Sequence, residues 1–445
     1  MLKLPSISVN LRQAKNSLSP INSLPPEILP LIQTFRASEK DLIRATAVCK
    51  YWRNTLVSTP SLWNNVAYLD RAVRESISPR VRTYLERSGS VPVKLQIHAR
   101  ASRLLSPYTE RISGLTVFID NHSDLDEIAK HLSKPAPLIE TVTLCGLYRP
   151  PRGLVLPSEF FEAFLSSART LVLNGATLSP GSYQLPKLTK FTLDASSANV
   201  TFAVLLDTLE QMPLLRVFEA ILCRPQGGDA IPENRVVTLS RLEKIAITVD
   251  ENRRTPVASP ILPALNLPSA RSVFLGLIDA AGAPLTPILP PPFKERLPRL
   301  SVLPKAAITF GTYGSIVFHG FGDSRLEVRI NANALYAFTE PVFGGLPFDS
   351  VRKLLVSFRS SAVDAAFFVQ LLRFMGGLEY LQLKRNSTGS LARWAREHDQ
   401  AGICPALSRL VIIDADYKAK EYVELIKRAR KRAGVPIAKV EIRYS

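Results

Sequence analysis

The chain has 445 residues, of which 46% are hydrophobic and 21% charged, a composition that excludes disorder as the default and supplies apolar material for a sizeable core. Its length exceeds what one compact core usually supports, so two or more domains, or an elongated repeat array, are expected. A balance of 56 basic against 38 acidic residues leaves a formal charge of +18, which invites an acidic partner or nucleic acid without specifying either.

Four cysteines, Cys49, Cys145, Cys223 and Cys404, lie far apart with no CxxC pair, which argues against a zinc site or a disulfide framework and for a reducing compartment. The opening MLKLPSISVNLRQ has no continuous apolar run, and no later stretch reaches eighteen apolar residues free of charge or proline. A cytoplasmic or nuclear protein with no membrane segment is the expectation.

Residues 1–20 carry no periodic pattern and are expected to be a flexible N-terminus. From Ile21 the pattern changes. Leu24, Ile28, Ile32 and Phe35 recur every three or four residues, so a helix would gather them into one apolar stripe, with Pro25 or Pro26 near its first turn. Pro30 conflicts with a helix that begins so early, and predicts either a kink or a start nearer to itself. Ser38 and Asp41 have the spacing of a capping box, after which Leu42, Ala45, Thr46 and Cys49 continue the helical period. A third short helix is expected over Tyr51 to Val57, with Trp52 and Leu56 four apart; Thr59-Pro60-Ser61 ends it, and Leu62-Trp63 returns a second tryptophan.

Three ordered blocks in this segment, Leu24-Pro25-x-Glu27-Ile28, Ala47-Val48-Cys49-Lys50-x-Trp52-Arg53 and Thr59-Pro60-Ser61-Leu62-Trp63, resemble an F-box in the form common in fungal F-box proteins. The resemblance spans residues 21–66 and departs from the family at Pro30. It implies a three-helix module that docks on a Skp-type adaptor and, through it, on a cullin scaffold. The whole chain would then be the substrate-recognition subunit of an SCF-type ubiquitin ligase. The adaptor contacts it implies are Leu24, Pro25, Ile28, Ile32, Val48, Cys49, Trp52, Leu62 and Trp63. A packing role competes with this for Trp52 and Trp63, since large aromatics are more often buried than displayed.

Residues 67–90 are expected to form a helical linker. Beyond residue 90 a short unit recurs, an apolar residue, two variable ones, then apolar-x-apolar, as in Leu188 to Leu193, Leu242 to Ile247, Leu378 to Leu383 and Leu407 to Ile412. Its last apolar positions are Val117, Leu144, Leu173, Leu193, Ala220, Ile247 and Leu275, then Val356, Leu383, Ile412 and Ile442, at steps of 27, 29, 20, 27, 27 and 28 and, in the second run, 27, 29 and 30. Helix-like stretches, Ser158 to Ser167 and Phe202 to Gln211 among them, lie between strands. Residues 91–445 therefore resemble an irregular leucine-rich-repeat-like solenoid with a parallel sheet. The fold class expected is α/β, a small N-terminal three-helix module followed by that array. An ordinary α/β domain with evenly spaced strands is the alternative. The asparagine usual in such repeats occurs once, as Asn386, so a continuous asparagine ladder is not expected. Between Leu275 and Val356 a proline-rich insertion near residues 279–299 interrupts the period, with strand-like runs at Ile316 to Phe318 and Leu326 to Ile330.

The cluster Lys427-Arg428-Ala429-Arg430-Lys431-Arg432 ends a predicted helix before Gly434, where cations meet the negative end of the dipole at roughly 0.3–1 kcal/mol each. It is expected to be a solvated helix end, with a nuclear-import or phosphate-binding patch as the alternative. No HExxH, GxxxxGK[ST], GxGxxG or GxSxG is present, and the five histidines are scattered. No catalytic residue, metal or cofactor is expected. Three functions stay open: an adaptor whose solenoid holds a target protein, a basic repeat scaffold that binds nucleic acid or another acidic partner outside any ligase, and an α/β enzyme without a recognised motif.

Overall fold

The computed structural model describes residues 14, 18–36, 39–68, 79–132, 134–146, 155–156, 165–178, 185–195, 200–223, 235–250, 261–278, 293–310, 315–331, 347–358, 365–384 and 388–444. They fall into two compact units, Met1–Pro150 with Leu156–Thr170 and Pro151–Val155 with Leu171–Ser445. The expected N-terminal tail, the centre of the linker and the proline-rich run from Asp279 to Pro292 lie outside the described residues, as do Ser38, Asn386 and most of Ser158 to Ser167.

In the first unit three short helices follow a 3-10 turn at Pro20–Ser23: α1 (Ile28–Arg36), α2 (Glu39–Thr46) and α3 (Lys50–Val57). Helix α1 starts at Ile28 rather than at Pro30. Pro30 is then its third residue, inside the first turn, where its missing N–H has no intrahelical acceptor to lose. Cys49 caps α3 by accepting the Trp52 N–H at 3.5 Å. A 3-10 turn, Pro60–Trp63, leads into strand β1 (Asn65–Tyr68), and α4 (Pro79–Arg87) into β2 (Val93–His98), β3 (Ile112–Ile119), α5 (His122–His131) and β4 (Thr141–Gly146). These strands pair in parallel, β1 with β2, β2 with β3 and β3 with β4. Val117 is in register with both Ile97 and Leu144, and all three are buried.

The second unit continues the strand–connection–strand rhythm. Its strands are β5 (Thr170–Asn174), β6 (Lys190–Ala195), β7 (Val217–Cys223), β8 (Lys244–Asp250), β9 (Ser272–Ile278), β10 (Lys305–Phe310), β11 (Ser315–Phe321), β12 (Arg325–Asn331), β13 (Lys353–Phe358), β14 (Tyr380–Lys384), β15 (Arg409–Ala415) and β16 (Lys439–Tyr444). They neighbour one another in the order β5-β6-β7-β8-β9-β12-β11-β10-β13-β14-β15-β16. Helix α6 (Phe202–Glu210) connects β6 to β7. Later in the chain α8 (Ala365–Arg373), α9 (Thr388–Arg396) and α10 (Ala419–Arg432) fill successive crossovers, while α7 (Phe293–Arg296) is a single turn before β10.

The repeat positions marked in the sequence fall in one continuous row, buried as far as Ile412 and half-buried at Ile442. Leu193 is in register with Ala220, then Ile247, Leu275, Val328, Phe318, Ile308, Val356, Leu383, Ile412 and Ile442. Most strands bury alternate residues, so this row and the one two residues before it face the crossover helices, which supply Leu205, Leu209, Phe368, Leu372, Trp394 and Ile426. Between strands, one carbonyl per unit accepts two N–H groups from the next: Thr189 from Arg216 and Val217, Arg216 from Glu243 and Lys244, Arg352 from Glu379 and Tyr380. This backbone ladder satisfies the polar groups at the strand entrances without asparagine side chains.

One stretch departs from an all-parallel sheet. The interval from Leu275 to Val356 contains an antiparallel meander, β10-β11-β12, inserted in reverse order so that its last strand pairs with β9 and its first with β13. Strands β10 and β12 run with the sheet and β11 against it. The inserted residues thus keep the buried row unbroken through Val328, Phe318 and Ile308, and no gap is left where the repeat period lapses.

Among the described residues strand β16 has a neighbour on one side only, and it carries its charge as a cluster. Glu441 accepts from Lys439 at 3.1 Å, Arg443 at 3.1 Å and Arg409 at 2.6 Å, and these three cations hold its carboxyl down from an ordinary 4.5 to about 2. Because the carboxyl is more acidic in the folded chain, the unfolded chain takes up the proton first. The stability that Glu441 contributes is therefore complete above about 4.5 and is lost as pH falls towards 2. In urea titrations across that window, the advantage of wild type over Glu441→Gln shrinks as the pH is lowered.

Candidate functional site

The helical module is held together from inside and leaves one face of α1 open. Leu29 and Gln33, four apart, turn inward, as do Leu42 and Ala45 of α2 and Leu56 of α3. This phase puts Ile28, Leu31, Ile32 and Phe35 on the opposite face. Ile28 is half-buried, whereas Leu31, Ile32 and Phe35 are 53%, 37% and 88% exposed. Ile43 of α2 and Val48, in the turn before α3, are also exposed. Soluble chains seldom leave large apolar side chains clustered on one helix face without a partner.

The nine residues expected at the contact surface separate into three groups. Pro25, Ile32 and Val48 are exposed. Leu24, Ile28, Cys49, Trp52 and Leu62 are half-buried and serve the module as well as its surface: the Leu24 carbonyl accepts from the Tyr51 hydroxyl at 2.9 Å, and the Trp52 indole donates to Asn22 Oδ1 at 2.7 Å. Trp63 is interior. Its indole donates to the Leu56 carbonyl at 2.8 Å, Tyr84 meets it edge-on at 4.9 Å, and the Arg87 guanidinium lies 4.4 Å over the ring. The packing role weighed for it from sequence is the one this geometry supports. Leu31, Phe35 and Ile43 were not among the nine. Phe35 belongs to the helical stripe, and Leu31 and Ile43 follow once Leu29 and Leu42 fix the inward phase.

Among the described residues one cluster has donors of metal-binding type, His98, Asp120 and Asp124, with ligand atoms within 4.8 Å of one another. Those atoms are already engaged. Asp124 accepts the Asp120 N–H at 2.7 Å, the Asn121 N–H at 3.3 Å and Arg100 Nε at 3.2 Å, while Asn121 accepts the Asp124 N–H in return, a capping box at the start of α5. His98 Nδ1 accepts the Arg100 N–H and its Nε2 lies 3.1 Å from Asp120 Oδ2. The arrangement ties β2, β3 and α5 together.

The basic cluster on α10 also divides. Arg428, Lys431 and Arg432 are exposed and Lys427 pairs with Glu424 at 2.9 Å, but Arg430 is fully buried, a correction to the expected solvated end. It donates to the carbonyls of Gln400, Ile403 and Cys404 at 3.3, 2.5 and 3.0 Å, with the Trp394 ring 6.0 Å away. Burial lowers its guanidinium pKa from the ordinary value. The same burial pushes the Cys404 thiol up to about 12 although Arg430 opposes it, and the Cys404 Sγ–H donates to the Leu372 carbonyl. A neutral, buried thiol is inert packing rather than a nucleophile.

Among the described residues no helix is long and apolar enough to cross a membrane. Residues 21–68 match the family model for the F-box-like domain, so the segment that bears the exposed α1 stripe is an F-box-like domain. The comparison with curated proteins returns no match. Among solved structures, the one titled "Crystal structure of TLR13-ssRNA13 complex" aligns with 12% identity and a TM-score of 0.31. That alignment covers 76% of this chain and 46% of the other, so the chain spans less than half the length of that protein.

Proposed function

We propose that this chain is an adaptor subunit, with the F-box-like domain binding a Skp-type adaptor of an SCF-type ubiquitin ligase and the strand array of the second unit presenting a target protein. One observation carries the reading: the residues that match the F-box-like family turn an apolar helix face outward, through Leu31, Ile32 and Phe35, while their own core closes on the other side. A module this small cannot bury that face alone, and a helix face with anchors at i, i+3, i+4 and i+7 fits a groove between helices of a partner. In this reading Pro25, Ile28, Leu31, Ile32, Phe35 and Val48 touch the adaptor, while Trp52 and Trp63 hold the module in shape. Covalent chemistry is left to the other subunits of the ligase.

The experiment is co-expression of the full chain with a Skp-type adaptor, followed by size-exclusion chromatography. Co-elution at equal stoichiometry supports the proposal. Separate elution of two folded proteins contradicts it.

A further inference from the structure

The sheet of the second unit has a second face, opposite the one that packs on the crossover helices, and its charge is ordered. Three residues before each buried marker, on the open side, the register brings together Lys190, Lys244, Arg325, Lys305, Lys353, Arg409 and Lys439. Parity places them on that face, because positions an odd number of residues apart along a strand point to opposite sides. They form a single row in which Val217, Ser272, Phe321 and Tyr380 are the other members.

Most of these cations are partly neutralised within the face. Glu219 holds Lys244 at 2.6 Å and Lys190 at 3.7 Å, which lowers its own pKa; Glu327 holds Arg325 at 2.9 Å, and Glu441 holds Arg409 and Lys439. Lys305 and Lys353 differ. They are directly paired across adjacent parallel strands, both exposed, and have no carboxylate partner among the described residues. Like charges side by side in a sheet oppose folding, so the pairing of these two lysines is a cost to the fold. Lys353 lies 4.7 Å over the Tyr380 ring, and Arg409 lies 5.4 Å from the same ring, so the excess of positive charge extends across four consecutive strands, β10 to β15.

We propose that this part of the open face, centred on Lys305 and Lys353, binds an extended acidic segment of the target protein, whose carboxylates replace the counter-charges the row lacks. The proposal rests on the adaptor reading above and adds to it the chemical class of the target. A protein segment suits the face better than a nucleic acid does. The row is flanked, two residues further along the strands on the same face, by Glu219, Glu327 and Glu441, which repel a continuous phosphate backbone but leave separate positions for individual carboxylates. With Lys353 4.7 Å and Arg409 5.4 Å from its centre, the Tyr380 ring is already engaged by two cations with which a stacking base would compete.

The test is fluorescence anisotropy of a labelled ten-residue oligoglutamate peptide titrated with the full chain at low salt, alongside a labelled oligouridylate of equal charge. The Lys305→Glu/Lys353→Glu variant is expected to weaken peptide binding about tenfold or more, with affinity falling as salt is raised. A control, Arg428→Glu/Lys431→Glu on exposed positions of α10, has the same change in formal charge and is expected to stay within about threefold of wild type. Three results overturn the proposal: equal affinity in wild type and the Lys305/Lys353 variant, equal loss in the control, or tighter binding of the oligouridylate than of the peptide. Co-elution with the adaptor is measured on all three proteins. A wild type that binds peptide but no adaptor refutes the adaptor reading alone, and a Lys305/Lys353 variant that keeps both adaptor and peptide refutes this one alone.

Discussion

Replacing Arg430 by Ala lowers the stability of the last units of the strand array by about 2–5 kcal/mol, through a cavity and the loss of three charge-assisted hydrogen bonds. The side chain is fully buried and is the shared donor for the carbonyls of Gln400, Ile403 and Cys404, in the segment between α9 and β15. Its removal takes a charged donor from all three in a place water does not reach, leaving the Gln400 and Cys404 carbonyls only the Ile403 and Leu407 N–H groups, and opens a cavity beside Trp394. Arg430→Met restores much of the volume but none of the hydrogen bonds, so it recovers only the cavity part of the loss. Amide hydrogen exchange checks this directly: protection in β15, α10 and β16 falls in the Ala variant, while β1 to β4 are unchanged. Unchanged protection in α10 would show that the guanidinium is dispensable. Cys404 provides a second readout, since its thiol, pushed up to about 12 by burial, resists alkylation until this region opens.

Trp63→Ala is expected to cost the first unit a similar ~3–5 kcal/mol, by loss of a fully buried indole. The indole joins two helices: it reaches the Leu56 carbonyl near the end of α3 and both Tyr84 and Arg87 on α4. Trp63→Phe keeps the edge-on contact with Tyr84 and part of the cation interaction and gives up the hydrogen bond, so it should lose clearly less. Thermal melts of the two variants give the comparison. If both melt with wild type, Trp63 is not the structural link between the helical module and the strands that follow it. Adaptor binding by Trp63→Phe at wild-type affinity would further separate packing from contact at this residue.

The spacing of the sequence was enough to locate the parallel strands. The recurring apolar-xx-apolar-x-apolar unit marked positions that lie in one register row from Leu193 to Ile442, because only residues repeated at that interval can stack inward in successive units. The meander escaped the reading for a physical reason. Its strands alternate like the others, but which strand pairs with which is decided by long-range packing, and a run such as Phe321-Gly322-Asp323-Ser324-Arg325 signals a hairpin without saying where it will dock. Arg430 was misread through charge counting. The spacing of Ala419, Val423, Ile426 and Arg430 puts all four on one buried helix face, a phase that composition alone does not show. At the candidate site the apolar stripe of α1 was visible from its period, whereas Leu31 depended on which of two faces the core would take.

The most direct measurement of the central claim is the affinity of a purified Skp-type adaptor for the full chain, by titration calorimetry, in wild type and in Ile32→Glu/Phe35→Glu. Both side chains are exposed, so the variant should fold and melt as wild type does. Burying two new carboxylates in an apolar groove should cost the complex several kcal/mol, at least ~3, which is more than a hundredfold in affinity. Loss of adaptor binding with an unchanged melt is the predicted result; wild-type affinity in the variant would contradict the assignment of this helix face, and with it the account of the chain as an adaptor subunit.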